Sequence, residues 1–276
     1  MTIVDSHLHV WSDDSGRYPW DTRFMPPPQE PATAEMLLEE MEAAGVDKAV
    51  LVQPSNYAYD NSYLADCLQR YPGRFAGVAL LDPLDPQAPQ LLEHLYLQDG
   101  IQGMRLYPIR DLRSTWLNDP ITFPLWEKAG ELGLPFICFI APQQVPMLEV
   151  MLARFPEVKV VIDHMGRPNA CEAPPYPLYQ AVVRAGFYPN AYVKVSGLRG
   201  ASQEDYPYRD AFKFVRMLYG SFGPERMMWA TDFPHILKQP GYQKILELVR
   251  REIPFFTSED REWILGKTAL SVWRFE

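Results

Sequence analysis

Short apolar runs alternate with longer amphipathic segments along nearly the whole chain. The runs are rich in Val, Ile, Leu, Phe and Met, and turn-forming residues often separate them from the next segment, which is typical of buried strands. We predict eight strands, one within 3–11 and the others at 48–53, 75–81, 101–106, 136–140, 158–164, 191–196 and 227–232. Apolar positions at helical spacing predict helices between them.

The segment 33–45 shows the helical pattern best. Its apolar residues recur at helical spacing, Thr33 is a suitable N-cap and Gly45 a suitable end. Strands that alternate with helices predict parallel βαβ units, and eight of them predict an α/β fold. We expect a distorted (β/α)8 TIM barrel, formed as one domain by residues 1–276, with extra C-terminal helices at 243–251 and 258–265. A doubly wound sheet is the alternative, but 12–16 lacks its Gly-rich phosphate loop.

Composition and charge favour a globular protein with a small-molecule ligand. The 276 residues are 47% apolar, and 26 basic against 35 acidic side chains give a net charge of −9. This balance argues against binding to nucleic acid or to an anionic membrane. Three scattered cysteines indicate neither a disulfide framework nor a thiolate zinc site, and no secretory leader or spanning segment is evident. We expect a cytoplasmic protein, and the sequence leaves a homodimer open.

Polar residues at the predicted strand ends are the candidates for chemistry, because barrels of this kind carry their active sites there. His7 and His9 would project from the same side of the first strand. His164 ends the sixth strand, Asp232 ends the eighth and Arg105 lies in the fourth. We expect the histidines and Asp232 to meet in one water-accessible hollow.

Four motifs carry a resemblance to a known family. They are Asp-Ser-His-Leu-His at 5–9, Asp-His-Met-Gly-Arg-Pro at 163–168, Val-Ser-Gly-Leu at 195–198 and Ala-Thr-Asp-Phe-Pro-His at 230–235. They resemble the amidohydrolase superfamily of the amidohydrolase 2 type. Within it, they are similar to the branch of 2-pyrone-4,6-dicarboxylate lactonase and the sugar-acid lactonases.

The resemblance implies a hydrolase that opens a carboxylated pyrone or a sugar-acid lactone by water attack on the ring carbonyl. It implies that Asp232 takes the proton from water. Without a metal, we expect the three imidazoles to donate to the carbonyl oxygen, since ester hydrolysis needs positive character there. The catalytic candidates are therefore Asp232, His164, His7 and His9.

Four further residues are candidates for substrate binding. Arg167 and His235 match positions that contact substrate in the lactonase branch, whereas Arg105 and Arg199 are looser matches. Guanidinium groups bind carboxylates in a bidentate manner, so they would select an anionic or polyhydroxylated lactone. The alternatives are a structural ion pair for Arg105, a loop bridge for Arg167 and a loop cap for His235.

The sequence leaves open whether the predicted hydrolase uses a metal. Metal-dependent members place a histidine or a carboxylated lysine on the fourth or fifth strand, but 103–107 and 136–142 supply neither. We expect that no cofactor is required, or that one divalent metal such as zinc is weakly held by His7, His9 and Asp232. Two other functions stay open. One is a metal-dependent decarboxylase of an aromatic or keto acid, and the other is a non-enzymatic barrel that binds sugar acids.

Overall fold

Eight parallel strands form one sheet in the computed structural model, which describes residues 1–275. Neighbours in the sheet follow the order of the chain, and every neighbouring pair is parallel. The strands are β1 (Val4–Leu8), β2 (Lys48–Val52), β3 (Phe75–Ala79), β4 (Ile101–Leu106), β5 (Phe136–Cys138), β6 (Val160–Ile162), β7 (Ala191–Val195) and β8 (Met227–Trp229). The predicted (β/α)8 barrel is confirmed.

The barrel closes between its first and last strands through residues at the end of β8. The N–H of Asp232 donates to the carbonyl of His7 at 2.9 Å, and the N–H of His9 donates to the carbonyl of Phe233 at 2.8 Å. The hydroxyl of Ser6 adds a bond to the carbonyl of Trp229 at 2.6 Å. Closure therefore fixes the segment that carries Asp232 directly against the two histidines of the first strand.

Helices cover the outside of the sheet at the predicted places. They are α1 (Ala34–Ala44), α2 (Ser62–Arg70), α3 (Ala88–Asp99), α4 (Phe123–Leu132), α5 (Val145–Arg154), α6 (Gln180–Ala185), α7 (Phe212–Phe222), α8 (Tyr242–Glu247), α9 (Ser258–Glu262) and α10 (Thr268–Val272). The last helix was predicted at 258–265, which is too short, because a π-helical turn at Trp263–Lys267 joins α9 to α10. Within residues 1–275, no helix combines the length and the apolarity needed to cross a bilayer.

Four strands end two or three residues earlier than predicted. The regular strands end at Ala79, Cys138, Ile162 and Trp229, although they were predicted to reach residues 81, 140, 164 and 232. Beyond β6 and β8 the backbone enters the left-handed region, with φ of 48° at His164 and 66° at Asp232. This conformation turns the chain out of the sheet and aims both side chains across the barrel mouth.

The amino end of the barrel is filled by apolar side chains and closed by the C-terminus. Trp273 is buried there in a cluster with Val4, Val50, Val52, Ala76, Val78, Ile137, Val161, Met228 and Ala269. The carbonyl of Ser271 accepts a bond from the side chain of Lys159, which directly precedes β6. Because apolar side chains fill the amino end, the buried polar side chains of the barrel lie nearer the carboxyl ends of the strands.

Candidate active site

Two imidazoles from the first strand meet edge to edge at the barrel mouth. His7 and His9 are both buried, and their Nε2 atoms lie 3.3 Å apart. Nδ1 of His9 lies 2.8 Å from the carbonyl oxygen of Val52 on β2. Because a carbonyl only accepts, neutral His9 carries its proton on Nδ1 and presents a lone pair at Nε2. Our expectation that His9 donates to a substrate carbonyl is therefore wrong for this arrangement.

The carboxylate of Asp232 faces all three predicted imidazoles. Its Oδ1 lies 3.7 Å from Nε2 of His7, 3.6 Å from Nε2 of His9 and 4.0 Å from Nε2 of His164. The Asp232 side chain is 26% exposed, so it reaches the cavity above the cluster. The structure thus brings together residues that are far apart in the chain, as the sequence predicted.

His164 is held by the turn that follows β6 and by the strand beside it. Its Nδ1 lies 2.9 Å from the hydroxyl of Ser196, which comes directly after β7. The next residue, Gly197, has a φ of 72°, and a Cβ there would lie 3.0 Å from the Cβ of His164. A glycine at this position therefore gives the imidazole room to pack against the seventh strand.

Three charged side chains lie beneath the histidines and form a buried network. Asp163 accepts bonds from Nε of Arg105 at 2.9 Å and from Nζ of Lys194 at 2.9 Å. Nη2 of Arg105 adds a second contact at 2.8 Å, and Nδ1 of His7 lies 3.0 Å from the same carboxylate. All four side chains are at most 2% exposed. This network fixes the orientation of His7 from below.

Burial shifts the pKa of nearly every ionisable group in the cluster. It raises the pKa of Asp232 to about 8 and lowers the pKa of Lys194 to about 8. It also lowers the pKa of His164 to about 3. Although burial alone would raise the pKa of Asp163, the neighbouring His7, Lys194 and Arg105 hold it well below its ordinary value. The histidines are therefore neutral at pH 7, and Asp163 is ionised.

A cavity of about 550 Å³ opens beside His164 and Asp232. Three of the four predicted substrate-binding residues line it, namely Arg167, Arg199 and His235. The ring of His235 lies 6.0 Å from the ring of His9. Arg105 lines a smaller neighbouring cavity instead, where its Nη1 donates to the hydroxyl of Tyr107 at 3.1 Å. Direct contact between these four residues and a substrate stays a prediction.

Comparison with known protein families identifies the family of this chain. A family model described as amidohydrolase matches residues 4–275, which is nearly the whole chain. The chain belongs to the amidohydrolase family. Its relatives include 4-sulfomuconolactone hydrolase of Hydrogenophaga intermedia, 28% identical over 84% of this chain and 74% of that protein. L-fucono-1,5-lactonase of Burkholderia ambifaria is 26% identical over 84% of this chain and 80% of that protein.

Solved structures place this amidohydrolase in the predicted branch. A proposed 2-pyrone-4,6-dicarboxylic acid hydrolase from Pseudomonas putida is 28% identical, with a TM-score of 0.84 over 98% of this chain and 97% of that one. An amidohydrolase from Burkholderia multivorans, with zinc bound, has a TM-score of 0.81 at 20% identity over 99% of each chain. The 5-carboxyvanillate decarboxylase of Sphingomonas paucimobilis fits less closely, with a TM-score of 0.67 at 19% identity over 100% of this chain and 99% of that one.

The donor set of this amidohydrolase fits a divalent metal. His7, His9 and Asp232 offer ligand atoms that all lie within 4.8 Å of one another. Two imidazole nitrogens bound to one tetrahedral zinc ion lie about 3.3 Å apart, given bonds of ~2.0–2.1 Å. The two Nε2 atoms have this separation. His7, His9 and Asp232 would therefore hold the metal, with His164 beside them.

Sequence reasoning missed two members of the network. Asp163 was noted only as part of a motif, and Lys194 was not singled out although it interrupts the apolar strand 191–195. A lysine in a strand that is covered on both faces needs a buried partner, because an unpaired charge there is costly. That signal was present in the sequence, and the partner, Asp163 directly after β6, became evident only from the fold.

Proposed function

We propose that this amidohydrolase hydrolyses a lactone that carries carboxylate or several hydroxyl groups. The observation that carries the proposal is the Asp232 carboxylate within 4.0 Å of three imidazole nitrogens, at the wall of a cavity lined by two arginines. Relatives named as lactone hydrolases support the same reaction class.

The chain's own residues can supply both parts of ester hydrolysis. Ionised Asp232 is the base that takes a proton from the attacking water. The hydroxyl of Ser196 can donate to Nδ1 of His164, which leaves the imidazole proton on Nε2. His164 then donates towards the cavity, where the carbonyl oxygen gains negative charge. A divalent metal, when bound, would lower the pKa of its water and polarise the carbonyl.

The proposal is tested with a panel of lactones and protein that has been treated with a chelator. We expect proton release from carboxylated pyrones or sugar-acid lactones, with simple neutral esters turned over poorly. The same panel includes aromatic carboxylic acids, read by CO2 release in the presence of zinc or manganese. Decarboxylation with no lactone turnover would overturn the proposal, and so would binding of sugar acids without turnover of any lactone.

The pH profile follows from the environment of Asp232. Burial raises its pKa to about 8, and the base works only when ionised. We therefore expect kcat/KM of the chelator-treated protein to rise about tenfold per pH unit below pH 7 and to level off above about pH 8. Initial rates between pH 5.5 and 9, corrected for spontaneous hydrolysis, measure this. A flat profile would rule out Asp232 as the titrating base.

We assign recognition of a negatively charged substrate to the two arginines of the cavity. Arg167 and Arg199 are both exposed at the cavity wall. A hydrogen bond to a charged group contributes ~1.5–3 kcal/mol. We expect Arg199→Met to raise KM for a carboxylated lactone at least about tenfold and to leave KM for a neutral lactone nearly unchanged. Arg209→Met, which removes an exposed guanidinium paired with Glu252, is the matched control.

We also infer a cytoplasmic location. Cys67, Cys138 and Cys171 are all free thiols, and Cys171 is exposed. Unpaired exposed thiols persist best in a reducing compartment.

A further inference from the structure

The positions of the protons on His7 and His9 can be read from groups whose role in a hydrogen bond is fixed. The carbonyl of Val52 only accepts, so the proton of neutral His9 lies on Nδ1 and its Nε2 carries a lone pair. Nε2 of His7 faces that lone pair at 3.3 Å. Two facing lone pairs would repel, whereas a proton on Nε2 of His7 makes a hydrogen bond.

Lys194 supplies the matching donor on the other side of His7. Its Nζ lies 2.8 Å from Nδ1 of His7 and 2.9 Å from Oδ1 of Asp163. An ammonium group has three donors and no acceptor, so it can serve both atoms at once. The result is a series of bonds with one direction, from Lys194 to His7, from His7 to His9, and from His9 to the carbonyl of β2.

Zinc needs a different arrangement of the same atoms. Both Nε2 atoms must offer lone pairs to a metal, so the proton of His7 must move to Nδ1 and point to Asp163 at 3.0 Å. The N–H of Nδ1 and the ammonium of Lys194 would then face each other as two donors at 2.8 Å. Lys194 also adds a buried positive charge beside the metal position. The lysine and a zinc ion therefore oppose each other.

We propose that Lys194 is a positioning residue that keeps the proton of His7 on Nε2 and thereby makes His7, His9 and Asp232 a weak zinc site. This inference refines the proposed hydrolytic site. It rests on the proposed function in one respect, which is that weak zinc binding matters for catalysis only if this site hydrolyses the lactone. Tautomers and zinc affinity are both measured without substrate. Failure of the lactonase proposal therefore leaves the inference intact, and its own failure leaves lactone hydrolysis untouched.

The first test reads the tautomers directly in the unaltered, chelator-treated chain. The sequence has only five histidines, so 15N-labelled histidine gives a spectrum simple enough to assign with His7→Gln and His9→Gln. Long-range proton–nitrogen correlations distinguish the two tautomers of an imidazole. We expect a proton on Nε2 of His7 and on Nδ1 of His9. A proton on Nδ1 of His7 would overturn the proposal.

The second test removes the donor. In Lys194→Met we expect the proton of His7 to move to Nδ1 and zinc to bind at least tenfold more tightly, measured by competition with a chromophoric chelator. Adding His9→Gln should abolish the gain, and Lys267→Met, which removes an exposed lysine, should leave the affinity within twofold. Unchanged affinity, or tighter binding without the tautomer change, would contradict the proposal. If Lys194→Met does not fold, the spectrum of the unaltered chain decides.

Discussion

Replacing Asp232 with asparagine is expected to lower kcat/KM for lactone hydrolysis about 10³-fold. A positioned general base contributes ~10²–10⁴-fold, and this carboxylate is the acidic group that faces the imidazoles from the cavity side. Asparagine keeps the shape and can still fill the space between the three Nε2 atoms, but it cannot take a proton from water. Rates measured by proton release on the best lactone of the panel give the effect.

The control for this substitution lies at the other end of the same strand. Glu225 is exposed and precedes β8, whereas Asp232 follows it. Glu225→Gln removes one negative charge at the amino face of the barrel, so kcat/KM should stay within twofold. Both variants should unfold at the same temperature as the unaltered chain, within a few degrees. Asp232→Asn with activity within tenfold of the unaltered chain would exclude the base role.

Replacing Asp163 with asparagine is expected to cost about 3–5 kcal/mol in the free energy of unfolding. The carboxylate accepts bonds from Arg105 and Lys194 where water does not reach, and asparagine would leave two buried cations without their counter-ion. Breaking a buried pair from one side has a cost of this size. Urea unfolding of the variant and the unaltered chain at pH 7 measures the difference.

The pH dependence of the free energy of unfolding follows from the lowered pKa of Asp163. A carboxyl group with a lowered folded-state pKa stabilises the fold above its unfolded value of ~3.9 and loses that effect as the pH falls through the folded pKa. The loss of unfolding free energy in Asp163→Asn should therefore be the same at pH 6 as at pH 7. Lys267→Gln breaks an exposed pair with Glu262 and should cost less than ~1 kcal/mol. Equal small penalties for the two variants would contradict the role of the network.

The architecture and the meeting of the three histidines with Asp232 were predictable because they depend on local patterns. Alternation along the first strand places His7 and His9 on one face, and the ends of parallel strands meet at one mouth of a barrel. These rules require no knowledge of loops. The resemblance to a family then added the expected chemistry, and the match over residues 4–275 confirms the family.

Details that depend on neighbouring strands were not predictable. The tautomer of His9 is set by a backbone carbonyl on β2, and no side-chain pattern encodes such a contact. Lys194 signalled a buried partner, but an interior cation in a barrel can reach acidic groups from several strands. The lengths of β6 and β8 were overestimated, because the predicted strands extended to His164 and Asp232, where φ values of 48° and 66° are incompatible with a strand.

The closing seam between the first and last strands has a consequence for biosynthesis. β1 leaves the ribosome before the other seven strands, yet its neighbour β8 and the buried Trp273 are synthesised after all of them. Until β8 has emerged, a growing chain exposes two unpaired strand edges, one at β1 and one at the last strand made, and an open apolar interior. Both features favour aggregation. We expect nascent chains that stall near residue 225 to depend on chaperones, and emergence of β8 and of the segment up to Trp273 to be the event that permits the barrel to form.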